Sequence, residues 1–188
     1  MQTGESSEPS DEDLAAAAAD GDARAFETLL RRSEGRVLRV LRLLGVGRED
    51  REDVAQEVFV RVFRHLGGFR AGNSFPGWLY RISVNAAHDH RKKRRRLARR
   101  ESAWGGTPEE TAGGSGSAGE AARILESRRR LENALAALSE RERAVFVLVE
   151  LEGLETSAVA RTLGITRITV RRHLGRARAR LERHLRGE

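Results

Sequence analysis

Residues 155–174 read ETSAVARTLGITRITVRRHL, two helical patterns joined by a tight turn. Gly164 predicts the end of the first helix, and Thr166 predicts the cap of the second. The inward face of the first helix comprises Val159, Ala160 and Leu163, and that of the second comprises Val170, Leu174, Ala177 and Leu181. Two helices joined by a tight, glycine-containing turn form a helix-turn-helix, a unit that enters the major groove of duplex DNA.

Arginines are prominent on the second of these helices. Arginine can pair with guanine through two parallel hydrogen bonds, and threonine reaches a phosphate or a thymine methyl group. The pattern also fits a solvated basic face on a structural helical hairpin, but cap, turn, apolar face and charge together favour DNA. The candidate contacts with duplex DNA are Arg167, Thr169, Arg171, Arg172 and Arg176.

A shift in composition after Arg100 predicts that the chain is divided into two small domains. The expected segments are an acidic, disordered amino terminus (1–10), a helical bundle (11–100), a Gly/Ser-rich flexible linker (101–123) and the helix-turn-helix domain (124–188). In the last segment, Ser139 and Glu142 have the spacing of a capping box. The predicted fold class is therefore all-α, with two small helical domains joined by a flexible linker.

The helical bundle is predicted from apolar residues that recur at helical spacing between glycines. Asp11-Glu12-Asp13 precede a short alanine-rich helix, whose positive end they are expected to stabilise. The apolar stripes that follow are Phe26, Leu29, Leu30, Val37, Leu41 and Leu44, then Val54, Ala55, Val58, Phe59, Val62 and Phe63, then Trp78, Leu79, Ile82 and Ala86. We expect these side chains to form the core of the first domain.

The charge of the chain points to a polyanionic partner. The formal net charge is +7, and the positive residues gather at 91–100 and 167–186. Lysine occurs only at Lys92 and Lys93, and the preference for arginine fits phosphate recognition and a GC-rich genome equally well. The absence of cysteine excludes disulfides and thiolate metal sites. With neither a signal-type segment nor an apolar run of membrane-spanning length, we expect a cytoplasmic protein without membrane insertion.

The segment from Phe75 to Asn85, FPGWLYRISVN, places aromatics and an amide ahead of the basic run 91–100. A base that leaves the stack of a duplex needs an aromatic pocket, and its backbone needs a cationic track. The same aromatics also fit simple core packing, so the residues alone leave both interpretations open. Pro76 is compatible with the first turn of a helix in either case.

Carboxylates cluster at the start of the predicted third helix. Asp50, Asp53 and Glu57 share a helix face by their spacing, which is compatible with a magnesium-dependent nuclease. Carboxylates in a first helical turn also stabilise the helix dipole, and exposed ones form docking surfaces. His88 and His90 lie two positions apart in basic sequence, a poor pattern for zinc. We expect no metal, no cofactor and no catalytic residue.

Taken in order, three segments resemble the extracytoplasmic-function (ECF) class of bacterial sigma factors, in the sigma-70 family. DVAQEVF at 53–59 is similar to the family's region 2.2, residues 75–85 are similar to its promoter-melting segment, and LSERER at 138–143 with the helix-turn-helix is similar to region 4. The resemblance covers about 11–96 and 124–186. It implies a transcription initiation factor, not an enzyme, which binds core RNA polymerase, recognises the −35 and −10 promoter elements and promotes promoter opening.

The resemblance also implies partners and roles for residues. Region 2.2 would bind the clamp helices of the polymerase β′ subunit, region 4 would contact the β flap and the −35 duplex, and an anti-sigma factor would be a further partner. The residues implied in binding core polymerase are Asp53, Gln56, Glu57 and Phe59. Those implied in capturing single-stranded −10 DNA are Arg70, Asn73, Ser74, Phe75, Trp78, Arg81 and Asn85. The loop Ala71-Gly72-Asn73 departs from the family's commoner Gly-Asp type, which leaves the identity of the captured base open.

Two other functions are compatible with parts of the pattern. A conventional helix-turn-helix regulator would bind its operator without polymerase, normally as a dimer. It would need neither the aromatic and basic fourth helix nor the acidic third helix. A metal-dependent nuclease would instead use Asp50, Asp53 and Glu57.

Overall fold

The computed structural model describes residues 8–69, 74–103 and 120–186, with side chains over 8–69, 74–100 and 123–186. Every regular element in these ranges is helical. The α-helices are α1 (Asp11–Ala19), α2 (Ala23–Leu43), α3 (Arg51–His65), α4 (Phe75–Ala103), α5 (Glu120–Ala136), α6 (Glu140–Phe146), α7 (Thr156–Leu163) and α8 (Arg167–Arg186). A 3₁₀ turn, Leu66–Gly68, follows α3, and a π-helical turn, Val147–Leu151, extends α6. The predicted all-α fold is confirmed.

Helices α1 to α4 form the first helical unit. Helices α2, α3 and α4 pack against one another, and α1 lies on α2 and the 3₁₀ turn. The side chains at the centre of this unit are almost fully buried: Leu29, Val37, Leu41, Val58, Val62 and Leu79. Burying an aliphatic side chain of this size contributes about 1.5–3 kcal/mol relative to leaving it in water. The predicted apolar stripes therefore account for most of this core.

Phe63 is an exception to the predicted core, because its side chain is 68% exposed. Val54, Val58 and Val62 lie four positions apart and form the buried line of α3. Phe63 follows Val62 directly, which places it about 100° around the helix from that line. Apolar spacing alone placed both columns of α3 in the core, although only the first is buried throughout: in the second, Ala55 is buried, Phe59 is half-buried and Phe63 is exposed.

The start of α1 is held by residues for which disorder was expected. Ser10 and Asp13 form a capping box: each backbone N–H donates to the other's side chain, at 3.1 Å in both cases. Arg32 of α2 donates to the Glu8 carboxylate at 2.9 Å and to the Pro9 carbonyl at 2.7 Å. Residues 8–10, which fall within the segment expected to be disordered, thus contact α2 and cap α1, while 1–7 lie outside the described residues.

Helices α5 to α8 form the second unit, and its local signals were read correctly. Ser139 and Glu142 form the predicted capping box, with N···O distances of 3.1 and 3.4 Å. Gly164 adopts φ 64°, which ends α7 in the left-handed conformation, and Thr166 Oγ1 accepts the Thr169 N–H at 3.1 Å. The buried centre of this unit comprises Val145, Leu148, Val159, Val170 and Leu174.

Helices extend into both ends of the predicted linker. Helix α4 continues to Ala103, and α5 begins at Glu120 rather than at 124. The rest of the linker prediction, over 104–119, lies outside the described residues. No helix within the described ranges has the length and apolar character needed to cross a bilayer.

Two glycines of the second unit should respond oppositely to alanine. Gly164→Ala places a side chain at φ 64°, and we expect it to lower the free energy of unfolding by about 1–2 kcal/mol. Gly175→Ala, in the middle of α8, should raise that free energy by about 0.5–1 kcal/mol. A Cβ at either position meets no atom within 4 Å, so backbone conformation alone separates the two cases. Chemical denaturation would measure both; a stabilising Gly164→Ala would contradict this account of the turn.

Candidate nucleic-acid interfaces and docking groove

A groove of about 640 Å³ runs between α2 and α3. Phe26 of α2 and Phe63 of α3 meet edge to face in it, with ring centroids 5.3 Å apart. The exposed carboxylates of Glu34, Glu52 and Asp53 also line the groove. Exposed aromatic and aliphatic surface beside acidic groups suits an amphipathic, basic helix of a partner.

The groove contains most of the residues implied in polymerase binding. Asp53, Gln56 and Phe59 line it. Glu57 does not line the groove. Its carboxylate accepts from Arg61, which also binds Asp89 at 2.9 Å. The groove also contains apolar residues without a predicted docking role: Phe26, Leu30, Leu38, Val60 and Phe63. Phe26, Leu30 and Phe63 were predicted to lie in the core. The only sequence signal for a separate surface was the second apolar column of α3, which ends at Phe63.

The start of α4 is anchored by the rings of Phe69, Phe75 and Trp78, whose centroids lie 5.9, 5.7 and 5.9 Å apart in pairs. Phe75 is only 1% exposed, and its N–H donates to Glu12 Oε1 at 3.1 Å. Core packing therefore accounts for Phe75, and its ring is not presented to a base. Of the other residues implied in −10 capture, Arg70 and Asn73 lie outside the described residues.

Ser74, Trp78 and Arg81 line a crevice of about 520 Å³ between α4 and α7. On its α7 side, Thr162 Oγ1 donates to the Gly77 carbonyl at 3.4 Å. Asn85 lines a second crevice, of about 220 Å³, between α4 and the second unit. The described residues implied in −10 capture therefore lie at the junction between the two helical units, apart from the buried Phe75.

The basic run of α4 divides into paired and exposed residues. Arg94 binds Asp50 at 3.0 Å and Glu49 at 3.2 Å, and Arg95 binds Glu140 at 2.9 Å. The side chains that remain exposed without a hydrogen bond or ion pair to the described residues are Lys92, Lys93, Arg96, Arg99 and Arg100. The predicted cationic track therefore consists of these exposed side chains and not of the whole run 91–100.

The outer face of α8 carries the strongest candidate surface for duplex DNA. Arg167, Arg171, Arg172 and Arg176 are exposed and make no hydrogen bond or ion pair with any described residue. Thr169 is half-buried, and its hydroxyl lies 2.9 Å from that of Thr166, so it belongs to the cap of the helix. Sequence reasoning missed Ile168, an exposed aliphatic side chain among these arginines.

The carboxylates of the nuclease alternative do not gather into a metal site. Asp50 binds Arg94 and lies 3.3 Å from His90 Nε2, Glu57 binds Arg61, and Asp53 faces the groove. Among the described residues, no group of three or more His, Asp or Glu side chains has an arrangement that holds a metal ion.

The two units meet at the buried carboxylate of Glu152, which follows the π-helical turn. Its Oε2 accepts from the Tyr80 hydroxyl and from Arg39 Nη2, both at 2.6 Å. Burial, together with the hydrogen bond to the Glu152 carboxylate, raises the pKa of Tyr80 above its ordinary value. The phenol therefore keeps its proton and acts as a donor at neutral pH.

A second contact between the units centres on Glu140 at the start of α6. His88 Nδ1 and Arg95 Nη2 lie 2.8 and 2.9 Å from its carboxylate, and Arg91 Nε lies at 3.7 Å. Burial opposes ionisation of Glu140, but these neighbours outweigh it and lower the pKa of the carboxyl. The contact therefore contains an ionised carboxylate at neutral pH.

Models of two protein families match the chain. The description "Sigma-70 region 2" matches residues 29–97, and "Sigma-70, region 4" matches residues 128–181. The ECF RNA polymerase sigma factor SigM of Mycobacterium tuberculosis is 35% identical over 180 residues, which cover 95% of this chain and 86% of the relative. SigE of Mycolicibacterium smegmatis is 34% identical over 186 residues, which cover 95% of this chain and 70% of that relative.

Solved structures agree with the fold. CnrH, in complex with the cytosolic domain of CnrY, has a TM-score of 0.71 and 29% identity, and the match covers 95% of this chain and 98% of CnrH. RpoE of Bartonella quintana, in complex with the anti-sigma factor NepR, has a TM-score of 0.72 and 22% identity, and the match covers 87% of this chain and 98% of that one. At 22% identity, the match to RpoE shows a shared fold only.

The all-helical fold, the helix-turn-helix and the two family matches define a DNA-binding transcription factor. The chain belongs to the ECF sigma factors of the sigma-70 family. It is a transcription initiation factor of RNA polymerase.

Proposed function

We propose that this chain binds core RNA polymerase through the α2–α3 groove, with the β′ clamp helices as the docked partner. The groove carries this proposal, because a regulator that acts without polymerase has no need for it. Asp53, Gln56 and Phe59 would contact the clamp helices, and Glu57 would fix Arg61 beside them. The apolar floor would supply burial, and the carboxylates would orient a basic partner helix.

Promoter DNA is bound by two different surfaces in this proposal. Arg167, Arg171, Arg172 and Arg176 of α8 contact the −35 duplex, some of them through phosphate only. Ser74, Trp78, Arg81 and Asn85, together with Arg70 and Asn73, contact the unstacked −10 strand. The exposed arginines of α8, which have no hydrogen bond or ion pair with the described residues, support the first assignment. The crevice beside Trp78 supports the second.

The division of labour follows the two units. Residues 11–100 act as region 2, residues 124–188 act as region 4, and 101–123 connect them. The chain itself catalyses no reaction, since its contribution is to select a promoter and stabilise strand opening. It works in the cytoplasm, where polymerase and chromosomal DNA meet.

Region 4 would also contact the polymerase β flap. An anti-sigma factor is a further proposed partner. CnrH was solved with the cytosolic domain of CnrY, and the RpoE structure contains NepR. The α2–α3 groove of this chain offers exposed apolar surface for such a partner. The conventional regulator remains the alternative, but the family match disfavours it.

Reconstitution with bacterial core RNA polymerase tests the proposal. We expect the purified chain to co-migrate with core enzyme, and the resulting holoenzyme to open a subset of a genomic promoter library. Sequencing the opened fragments would give the recognised −35 and −10 elements. A chain that bound duplex sites alone and never joined core polymerase would establish the regulator instead.

Two substitutions should separate polymerase binding from promoter binding. Asp53→Arg reverses a charge in the groove and should lower the affinity for core polymerase about 10-fold or more, while the control Glu27→Arg, outside the groove, retains it.

Arg171→Ala should leave core binding intact and weaken promoter binding by about 5- to 100-fold, the range for one arginine contact to a base. Arg183→Ala, further along α8, is its control. If both test variants retained wild-type transcription, the residue assignments would be wrong.

A further inference from the structure

Ile168 has an unusual position for a large aliphatic side chain. It is 77% exposed in the first turn of α8 and is flanked by arginines that have no partner among the described residues. Isolated exposed apolar residues are ordinary on protein surfaces, and Leu185 near the other end of α8 is 76% exposed. The position of Ile168 on the helix-turn-helix distinguishes it from Leu185.

The direction of Ile168 follows from helix geometry. Val170 is fully buried in the second unit, and two positions along an α-helix correspond to a rotation of about 200°. Ile168 therefore points almost directly away from the core. Arg172, four positions later, lies on the same face, and so does Gly175, where a Cβ would meet open space. The face presented to a major groove thus combines one aliphatic group, guanidinium groups and a position without a side chain.

The chemistry of this face indicates which group on DNA it contacts. In the major groove, the only apolar group on a base edge is the C5-methyl of thymine, and aliphatic side chains contact it. Isoleucine on a helix has one strongly preferred χ1 rotamer, so its Cγ1 and Cγ2 carbons are held in one place before DNA binds. Because Thr166 caps α8 two positions earlier, the backbone of Ile168 is fixed as well.

We propose that Ile168 is a specificity-determining residue that reads a thymine methyl group in the −35 duplex. This proposal rests on the proposed function of α8. Arg171 and Arg172 supply hydrogen bonds and charge, whereas Ile168 adds a preference that depends on a single methyl group. Removing a buried methyl weakens binding about fourfold.

Deoxyuridine tests the proposal, because it differs from thymidine only by lacking that methyl. Holoenzyme is titrated with a −35 duplex taken from the reconstituted promoters, and with the same duplex carrying deoxyuridine for every −35 thymidine. We expect the wild type to bind the thymidine duplex about three- to tenfold more tightly. Ile168→Ala should bind the thymidine duplex more weakly and should not distinguish the two duplexes, while Leu185→Ala should behave as wild type.

Three results would count against this role of Ile168. Equal affinity of the wild type for both duplexes would overturn it, and so would an Ile168→Ala holoenzyme that keeps the wild-type preference, or a Leu185→Ala control that loses it. Each leaves the proposed function intact, because promoter binding by the wild type and its weakening in Arg171→Ala are measured on the same duplex. Failure of the holoenzyme to form would instead remove the proposed function itself.

Glu152 carries a second and independent inference. The carboxylate is 1% exposed, yet only Oε2 is paired; Oε1 is buried without a hydrogen-bond partner among the described residues. Both donors, Tyr80 and Arg39, come from the first unit, whereas Glu152 belongs to the second. A buried carboxylate satisfied on one oxygen holds two elements in register but stabilises the contact less than a fully paired one.

The contact also positions α7 over the start of α4. Thr162 lies against the Gly77 carbonyl, and α7 forms one wall of the crevice that contains Trp78 and Arg81. Under the proposed function, a single strand must reach that crevice. The geometry points to Glu152 as a latch for a closed state, in which α7 occupies part of the −10 surface and must leave before promoter opening.

The chain has no cysteine, so two introduced cysteines can be labelled without further changes. Labels at Glu27→Cys and Arg183→Cys would report the distance between the units by pulsed electron spin resonance. We expect one narrow distance in the wild type, and broader, longer distances in Tyr80→Phe and Glu152→Gln. Glu150→Gln, which loses only the pair with Arg178 inside the second unit, is the matched control.

The same variants should form open complexes severalfold faster with core polymerase, because less of the −10 surface is covered. Unchanged distances in both Tyr80→Phe and Glu152→Gln would overturn the latch, as would opened variants that form open complexes no faster than the wild type. The distance measurement needs neither polymerase nor DNA. It therefore tests the latch even if the proposed function fails.

Discussion

Two guanidinium groups, one from each helical unit, donate to the same carbonyl oxygen at the end of α2. Arg91 Nη1 lies 2.6 Å from the Leu44 oxygen, and Arg143 Nη1 lies 3.3 Å from it. Carbonyls at the end of a helix lack an intrahelical partner, and cations are favoured there. Burial lowers the pKa of both arginines, and the charge of Arg91 adds to this effect on Arg143. This shared acceptor joins the end of α2 to both units, and it acts together with the contacts at Glu152 and Glu140.

The shared acceptor also constrains the backbone beside it. Gly45 follows Leu44 at φ 86°, and a Cβ there would overlap the Arg143 guanidinium. Arg143 Nε in turn donates to the Leu135 carbonyl at 2.6 Å, so one side chain joins the ends of α2 and α5. Charged contacts of this kind distinguish two sets of arginines among the described residues. Those at the junction are paired internally, whereas those on the outer face of α8 keep their full capacity for phosphate and base edges.

The features that the sequence predicted correctly are helix caps and turns, which form between residues close together along the chain. The Ser139 and Glu142 capping box, the left-handed Gly164 and the Thr166 cap each involve residues at most four positions apart. Contacts between distant residues left no such pattern. Tyr80 and Glu152 are 72 positions apart, and neither residue is unusual in its own segment. Periodicity also could not decide which of two apolar columns on α3 faces the core, so the docking groove became visible only once α2 was placed beside α3.

The polar character of the junction bears on how firmly the two units are held together. Apolar burial would fix them by area, whereas buried ion pairs return little net free energy after desolvation and depend strongly on geometry. The contacts at Glu152, Glu140 and Leu44 are all polar, although only Glu152 is a deeply buried ion-pair partner and Leu44 contributes a backbone carbonyl. Glu152 Oε1 and Arg91 Nε stay buried without hydrogen-bond partners among the described residues. These polar contacts therefore select one arrangement of the units while adding little net stability of their own. Under the proposed function, in which the −10 surface adjoins that junction, this balance lets the arrangement be specific in the free protein and reversible when polymerase and promoter bind.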